Sequence, residues 1–224
     1  MRRVLITGSA GVIGTVLSDH LPYDITGLDL PDNDIGDYPR LVENCRGQDA
    51  IIHLAGEFTT ENWRSDDINP ANFRLDLNVL KAAVEADVRR VVLASSVHAD
   101  DFLAHNGPEL IAPDRALPVP TSPYGAHKLF LEAAGRHVAA HHGREVVALR
   151  FGGVRHHGLR INNGLDAMAH LSHPDLVACV QAAVEAPLPP SRFAVLYAVS
   201  DNPRRVHDTT NPLGWKPLPR TAHP

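Results

Sequence analysis

Tyr124 and Lys128 stand four residues apart, a spacing that brings both side chains to one face of a helix. A lysine ammonium beside a phenol favours the phenolate, which would lower the tyrosine pKa toward the working pH and fit it to act as general base or acid. Ser95 and Ser96 follow the apolar run Val91-Val92-Leu93-Ala94, where a hydroxyl could hold a substrate oxygen beside the tyrosine. Taken alone, a Tyr-x-x-x-Lys pair often arises by chance. A second motif gives it weight. Gly8, Gly11 and Gly14 form G-x-x-G-x-x-G between a strand-like run and a helix-like one. Glycines so placed make a tight turn, let backbone N–H groups approach a pyrophosphate and seat the helix N-terminus against its charge. Asp29 ends the next strand-like run, where its carboxylate can accept both hydroxyls of an adenosine ribose and would repel a 2′-phosphate. No arginine follows it, so NAD is favoured over NADP.

The elements that position these residues alternate in type. Arg3 to Thr7, Ile25 to Leu28, Ala50 to Leu54, Arg90 to Ala94 and Val146 to Phe151 read as strands, with an abbreviated one near Ile35. Val12 to Leu21, Tyr38 to Cys45 and Asn72 to Ala86 read as helices, the last carrying Leu75, Val79, Leu80 and Ala83 along one face. A loop holding Pro108, Pro113, Pro118, Pro120 and Pro123 leads into the helix of Tyr124, and Val146 to Phe151 closes the sheet. This pattern predicts an α/β chain with a Rossmann-type doubly wound parallel sheet. From residue 152 to 224 the texture changes, with a helix at Pro174 to Ala186 and a last strand at Val195 to Val199. That stretch is expected to form a small substrate-binding cap on a single domain.

Composition sets the bounds. With 224 residues, 44% of them hydrophobic, the chain can bury one core but not two large ones. A net charge of -5 with both signs interspersed provides no positive field for a phosphate backbone, so nucleic acid is not an expected partner. The N-terminal apolar run is too short for a signal peptide or a membrane span, so a cytoplasmic protein without membrane contact is expected. Cys45 and Cys179 lack a Cys-x-x-Cys spacing and read as buried thiols. His137, His141 and His142 sit at helical spacing and His156-His157 in a loop, without an acidic partner fixed at ligand distance. A solvated helix face is expected there and no metal.

These motifs together resemble the extended short-chain dehydrogenase/reductase family, the NAD-dependent epimerase/dehydratases. The residues concerned are Gly8 to Gly14, Asp29, His53 to Gly56, Asn72, Asn78 to Ala83, Val91 to Ser96, Tyr124 and Lys128. Within that family Ala94 to His98, Tyr124 to Lys128, Ser172 to Val177 and Leu213 to Pro217 are similar to uronate dehydrogenases. The resemblance implies Tyr124 as acid/base, Ser96 as partner of the substrate hydroxyl, and Lys128 as the residue that binds the nicotinamide ribose and tunes Tyr124. It implies a cofactor site of Gly8, Gly11, Val12, Ile13, Gly14, Asp29, Asp34, Ile35, Leu54, Ala55, Gly56, Asn72, Tyr124 and Lys128, with Asp34 and Ile35 at the adenine. His98 would contact a sugar acid. Val97, Phe58 and Gly153 stand where an asparagine, a serine, and a serine or asparagine are expected, and each change removes a polar contact to a sugar. Arg160 is the candidate counterpart of a carboxylate-binding arginine and Arg155 the second choice. The implied activity is NAD-dependent oxidation of a small sugar-like substrate, specifically a hexuronate at C1 to its aldarolactone. A nucleotide-sugar epimerase or dehydratase and a non-catalytic NAD sensor are the alternatives. A homodimer through the helices of Asn72 and Tyr124 is the default assembly.

Overall fold

In β1 (Arg3–Thr7) Val4 and Ile6 point to one side of the backbone and Leu5 to the other, and all three are fully buried. A strand apolar on both faces needs a layer on each side, and the rest of the chain supplies both. The computed structural model describes residues 1–56, 67–115, 117–156 and 164–219. In chain order, α1 (Val12–His20), β2 (Asp24–Leu28), α2 (Tyr38–Cys45), β3 (Ala50–His53) and α3 (Ala71–Glu85) make up the first half. The second half holds β4 (Arg90–Ser96), α4 (Pro123–His142), β5 (Glu145–Phe151), α5 (Leu165–Ala169), α6 (His173–Glu185) and β6 (Phe193–Ala198).

The strands form one parallel sheet in the order β2-β1-β3-β4-β5-β6. Helices α1 and α6 cover one face through Leu17, Leu176 and Val180, and α2, α3 and α4 cover the other through Leu41, Val79, Leu80 and Leu131. This is the Rossmann-type α/β fold. The chain steps from β1 out to β2 and then crosses back to β3 on the other side of β1. A crevice therefore opens at the carboxyl ends of β1 and β3, the switch point where ligands of open α/β sheets bind.

Two expectations are corrected. No strand forms near Ile35: Gly36 N–H bonds to Asp34 Oδ1 at 2.7 Å and Asp37 N–H to the Asp34 carbonyl at 3.1 Å, so short polar residues satisfy the local backbone in turns. Nor does Val146 to Phe151 close the sheet. β6 pairs along its outer side from Val146↔Phe193 to Phe151↔Ala198, so the region after residue 151 supplies a sheet strand and α6 as well as material over the cleft. That material includes α5 and the loop leaving β5, joined by a bridge between Gly153 and His170.

Local sequence explains the helix that carries Tyr124. Ser122 caps α4 by accepting the Gly125 N–H, Pro123 occupies the first turn, and Gly143 ends the helix at φ +66°. Cys45 and Cys179 are buried free thiols; burial pushes the Cys45 thiol up to about 12 and raises Cys179 as well. No described helix is long and apolar enough to cross a membrane.

Candidate active site

Gly8 leaves β1 at φ +73°, and a Cβ there would stand 2.7 Å from the Ala55 nitrogen. Only a glycine lets the loops after β1 and β3 meet this closely. Helix α1 follows with Gly11 at its N-cap and no side chain bonded to its first-turn amides, which leaves those N–H groups for an anion. A cleft runs across this junction in two lobes. One, of about 420 Å³, is lined by Asp29, Asp34, Ile35, Ala55 and Gly56; the other, of about 460 Å³, by Val12, Ile13, Gly14, Ser96, Tyr124 and Lys128. Gly8, Gly11 and Leu54 line both. Backbone cradle, open helix terminus and elongated two-lobed cleft fit a dinucleotide. Asn72 lines neither lobe and is buried near the start of α3.

Asp29 is half-buried. It reaches from the end of β2 to accept the Ala10 N–H at 2.7 Å through one oxygen and the Leu30 N–H at 2.8 Å through the other. Each oxygen keeps a lone pair for a ribose hydroxyl. Arg74, exposed on α3, lines the same lobe, a cation not expected from the residues that follow Asp29.

At the other lobe, a Cβ on Gly125 would lie 2.1 Å from the His98 carbonyl oxygen. The glycine thus lets α4 dock against the turn after β4 and sets Tyr124 beside Ser96. Burial raises the Tyr124 phenol, and a hydrogen bond with the Ser96 hydroxyl opposes that. The expected lowering by Lys128 is not what the geometry delivers. Its Nζ lies 5.5 Å from the centre of the Tyr124 ring, and burial outweighs every influence on the phenol. Lys128 itself is pushed down to about 8 by burial, with Asp76 acting to raise it. Ser96 Oγ also accepts the His98 N–H at 3.2 Å. His98 bonds through Nδ1 to Thr121 Oγ1 at 2.9 Å, and burial lowers it to about 4, so it is neutral at physiological pH.

Ser95 behaves differently from its neighbour. Its hydroxyl donates to Glu132 Oε1 at 2.5 Å, so Ser95 is engaged with α4 whereas Ser96 bonds with Tyr124. Glu132 in turn receives Arg150 Nε at 2.8 Å and Nη2 at 2.9 Å, and Arg150 Nη1 donates to the Tyr197 hydroxyl at 3.0 Å. This buried pair ties α4 to β5 and β6 beneath the cleft.

The residue most clearly missed in the sequence is Asp76. It is buried on α3 and accepts or shares hydrogen bonds with His53 Nε2 at 3.0 Å and His127 Nε2 at 2.7 Å, one on each carboxylate oxygen. His53 Nδ1 meets Thr7 Oγ1 at 2.8 Å, and Thr7 Oγ1 accepts the Ala55 N–H at 3.3 Å. Burial acts to raise Asp76, but the bonds with His127 and His53 overcome it and hold the carboxyl well below the usual range. A buried anion therefore links the cofactor loops at Thr7 and Ala55 to the helix turn of Lys128. The signal was present: Asp76 lies three and four residues before Val79 and Leu80, a charge on the apolar face of α3.

Of the residues expected at the substrate, Ser96, Val97, His98 and Gly153 all line the second lobe. Arg160, Phe58 and His157 lie outside the described residues. Arg155 lines the lobe and is paired: Nη2 stands 2.6 Å and Nε 3.2 Å from Asp166 Oδ1. His137, His141 and His142 stand exposed at the end of α4, and among the described residues no three His, Cys, Asp or Glu side chains group as metal ligands.

A parallel sheet with a glycine-loop dinucleotide cleft, and a Ser-Tyr-Lys cluster at its far lobe, defines a nicotinamide-dependent member of the Rossmann proteins. The chain belongs to the NAD dependent epimerase/dehydratase family, whose model matches residues 4–170. It is 32% identical to a Haloferax volcanii protein named L-arabinose 1-dehydrogenase (NAD(P)(+)), over 99% of this chain and 98% of that protein. It is 28% identical to the uronate dehydrogenase of Agrobacterium fabrum, over 97% of this chain and 84% of that one. Its fold matches a glucuronic acid dehydrogenase from Chromohalobacter salexigens with a TM-score of 0.83 at 25% identity, covering 99% of this chain and 86% of that one.

Proposed function

We propose that the chain is a sugar dehydrogenase that oxidises the anomeric C1 hydroxyl of a small sugar to the lactone. The observation that carries this reading is the junction of Ser96, Tyr124 and Lys128 at one end of the dinucleotide cleft. Ser96 holds the C1 oxygen and Tyr124 takes the hydroxyl proton. Lys128 donates to the ribose of the bound cofactor and supplies positive charge beside the phenol. Bound NAD supplies the hydride acceptor, so C1 loses a hydride to the nicotinamide as its oxygen loses a proton to Tyr124. Asp29 would hold the adenosine ribose and favour NAD over NADP. The resemblance points to a hexuronate oxidised to its aldarolactone, whereas the relative from Haloferax volcanii is named for a pentose. The two differ by one carboxylate on the substrate.

Absorbance of NADH during incubation with aldoses, uronates and nucleotide sugars, using NAD and NADP side by side, tests this proposal. NADH should form with NAD and one or more small sugars. NADH formation with nucleotide sugars alone, or with none of the panel, would overturn it.

A further inference from the structure

We propose that the ion pair of Arg155 and Asp166 sets the charge class of the substrate, so that the cleft takes a neutral aldose in preference to the matching uronate. The inference deepens the sugar-dehydrogenase reading and rests on it. Arg155 comes from the loop after β5 and Asp166 from the first turn of α5, and both side chains line the lobe that holds Ser96, His98 and Tyr124. The Asp166 side chain is only 4% exposed, whereas that of Arg155 is 47% exposed. The carboxylate is thus the buried member, and the guanidinium meets it at 2.6 Å from the more open side of the lobe.

A uronate carboxylate entering this lobe would meet one of two situations. It could take over Arg155 and leave Asp166 a buried anion without that partner, which buried pairs tolerate poorly. Otherwise it would settle beside an already engaged guanidinium and repel Asp166. Neither difficulty arises for a substrate with hydrogen or a hydroxymethyl group in place of the carboxylate. Among the described residues, the other polar groups that line the lobe do not alter the balance. His98 offers a neutral ring bonded to Thr121, and Lys128, the other lining cation among the described residues, lies against the Tyr124 ring. Asp166 also gives a neutral sugar something to bind, because an ionised carboxylate accepts hydrogen bonds from hydroxyls and those charge-assisted bonds are the strong ones.

L-Arabinose, D-galactose and D-galacturonate share the configuration of their ring hydroxyls and differ at C5, which bears hydrogen, hydroxymethyl or carboxylate. Two measurements on the wild-type protein separate the possibilities: kcat/KM with NAD for each sugar, and calorimetric binding of each to the NADH-saturated protein. The better neutral sugar should exceed galacturonate by about tenfold or more in both. In Asp166→Asn, whose folding is checked by thermal melting, that ratio should fall by about tenfold as galacturonate gains. Galacturonate equal to or better than the neutral sugars in the wild-type protein would overturn the inference while leaving the dehydrogenase reading standing, as would an unchanged ratio in folded Asp166→Asn. Selective binding of a neutral sugar without turnover of any would sink the dehydrogenase reading and leave the charge preference standing. Absence of binding by all three would sink both.

Discussion

Tyr124 begins as a phenol raised by burial, so at neutral pH it carries its proton and must lose it before it can act as a base. Oxidation should therefore accelerate as pH rises into the alkaline range, with kcat/KM climbing as the phenolate fraction grows. Tyr124→Phe removes that one hydroxyl from a side chain whose ring still packs near His98 and Lys128. Turnover should fall by about a hundredfold or more while NAD binding, read by calorimetry, stays near wild type. Wild-type turnover in this variant would move the proton transfer to another residue. At this scale the placement of Gly8, Asp29, Tyr124 and Lys128 along one cleft was legible, because a glycine turn after the first strand, an acid after the second and a Tyr-x-x-x-Lys pair each fix a residue type at a spacing. The choice between Ser95 and Ser96 was not, since it depends on the pleat of β4 and on Glu132 arriving from α4 to take the Ser95 hydroxyl. Nor could the partner of Arg155 be read, because Asp166 comes from a separate short helix.

Helices α3 and α4 do more than cover a face of the sheet. Each contributes a buried polar group, Asp76 and His127, to a chain that ends at the cofactor loops. Asp76 is also the group that acts to raise Lys128 against burial, so its charge keeps the ammonium protonated. Lys128 sits at about 8, and NAD affinity should weaken in the wild-type protein as pH rises through that value. Asp76→Asn keeps the shape and removes the charge. The weakening should then begin at lower pH, leaving affinity at pH 8 about tenfold below wild type while the two converge at lower pH. Calorimetric titration of NAD across pH 6 to 9 in folded protein reads this, and an equal loss at every pH would reduce Asp76 to packing. The strands beside this network were readable as short, nearly continuous apolar runs, which the fold buries on both faces. The strand expected near Ile35 was not realised, because Asp34 and its neighbours bond to their own backbone more readily than to a strand edge.

The whole molecule buries a histidine that its function does not explain. His207 is fully buried between Phe102 and Tyr197, with ring centroids 5.1 and 4.6 Å away, and burial together with nearby Arg205 and Arg150 lowers it to about 3. His98 is lowered to about 4. In the unfolded chain both take up protons near pH 6.5. Between that value and their folded values the unfolded state binds more protons, so stability present above pH 6.5 is lost as pH falls. His207 alone should cost about 1.4 kcal/mol per pH unit in that window. His207→Phe removes this titration and fills the same aromatic pocket, so denaturant unfolding at pH 7 and pH 5 should show a smaller acid loss than in wild type. An unchanged difference between the two pH values would contradict this. His207 also shows why the end of the chain was hard to read. Its place is fixed by a bridge to Ile111, almost a hundred residues earlier, which no local pattern announces.

The central claim, that this cleft moves a hydride from C1 of a small sugar to NAD, is tested most directly with L-arabinose, D-galactose and D-galacturonate, each deuterated at C1. Mass spectrometry of the reduced cofactor should find the deuterium on the nicotinamide, in step with lactone formation and strongly diminished in Tyr124→Phe. Reduced cofactor without deuterium, or labelled sugar returned unchanged with NAD left oxidised, would contradict the account.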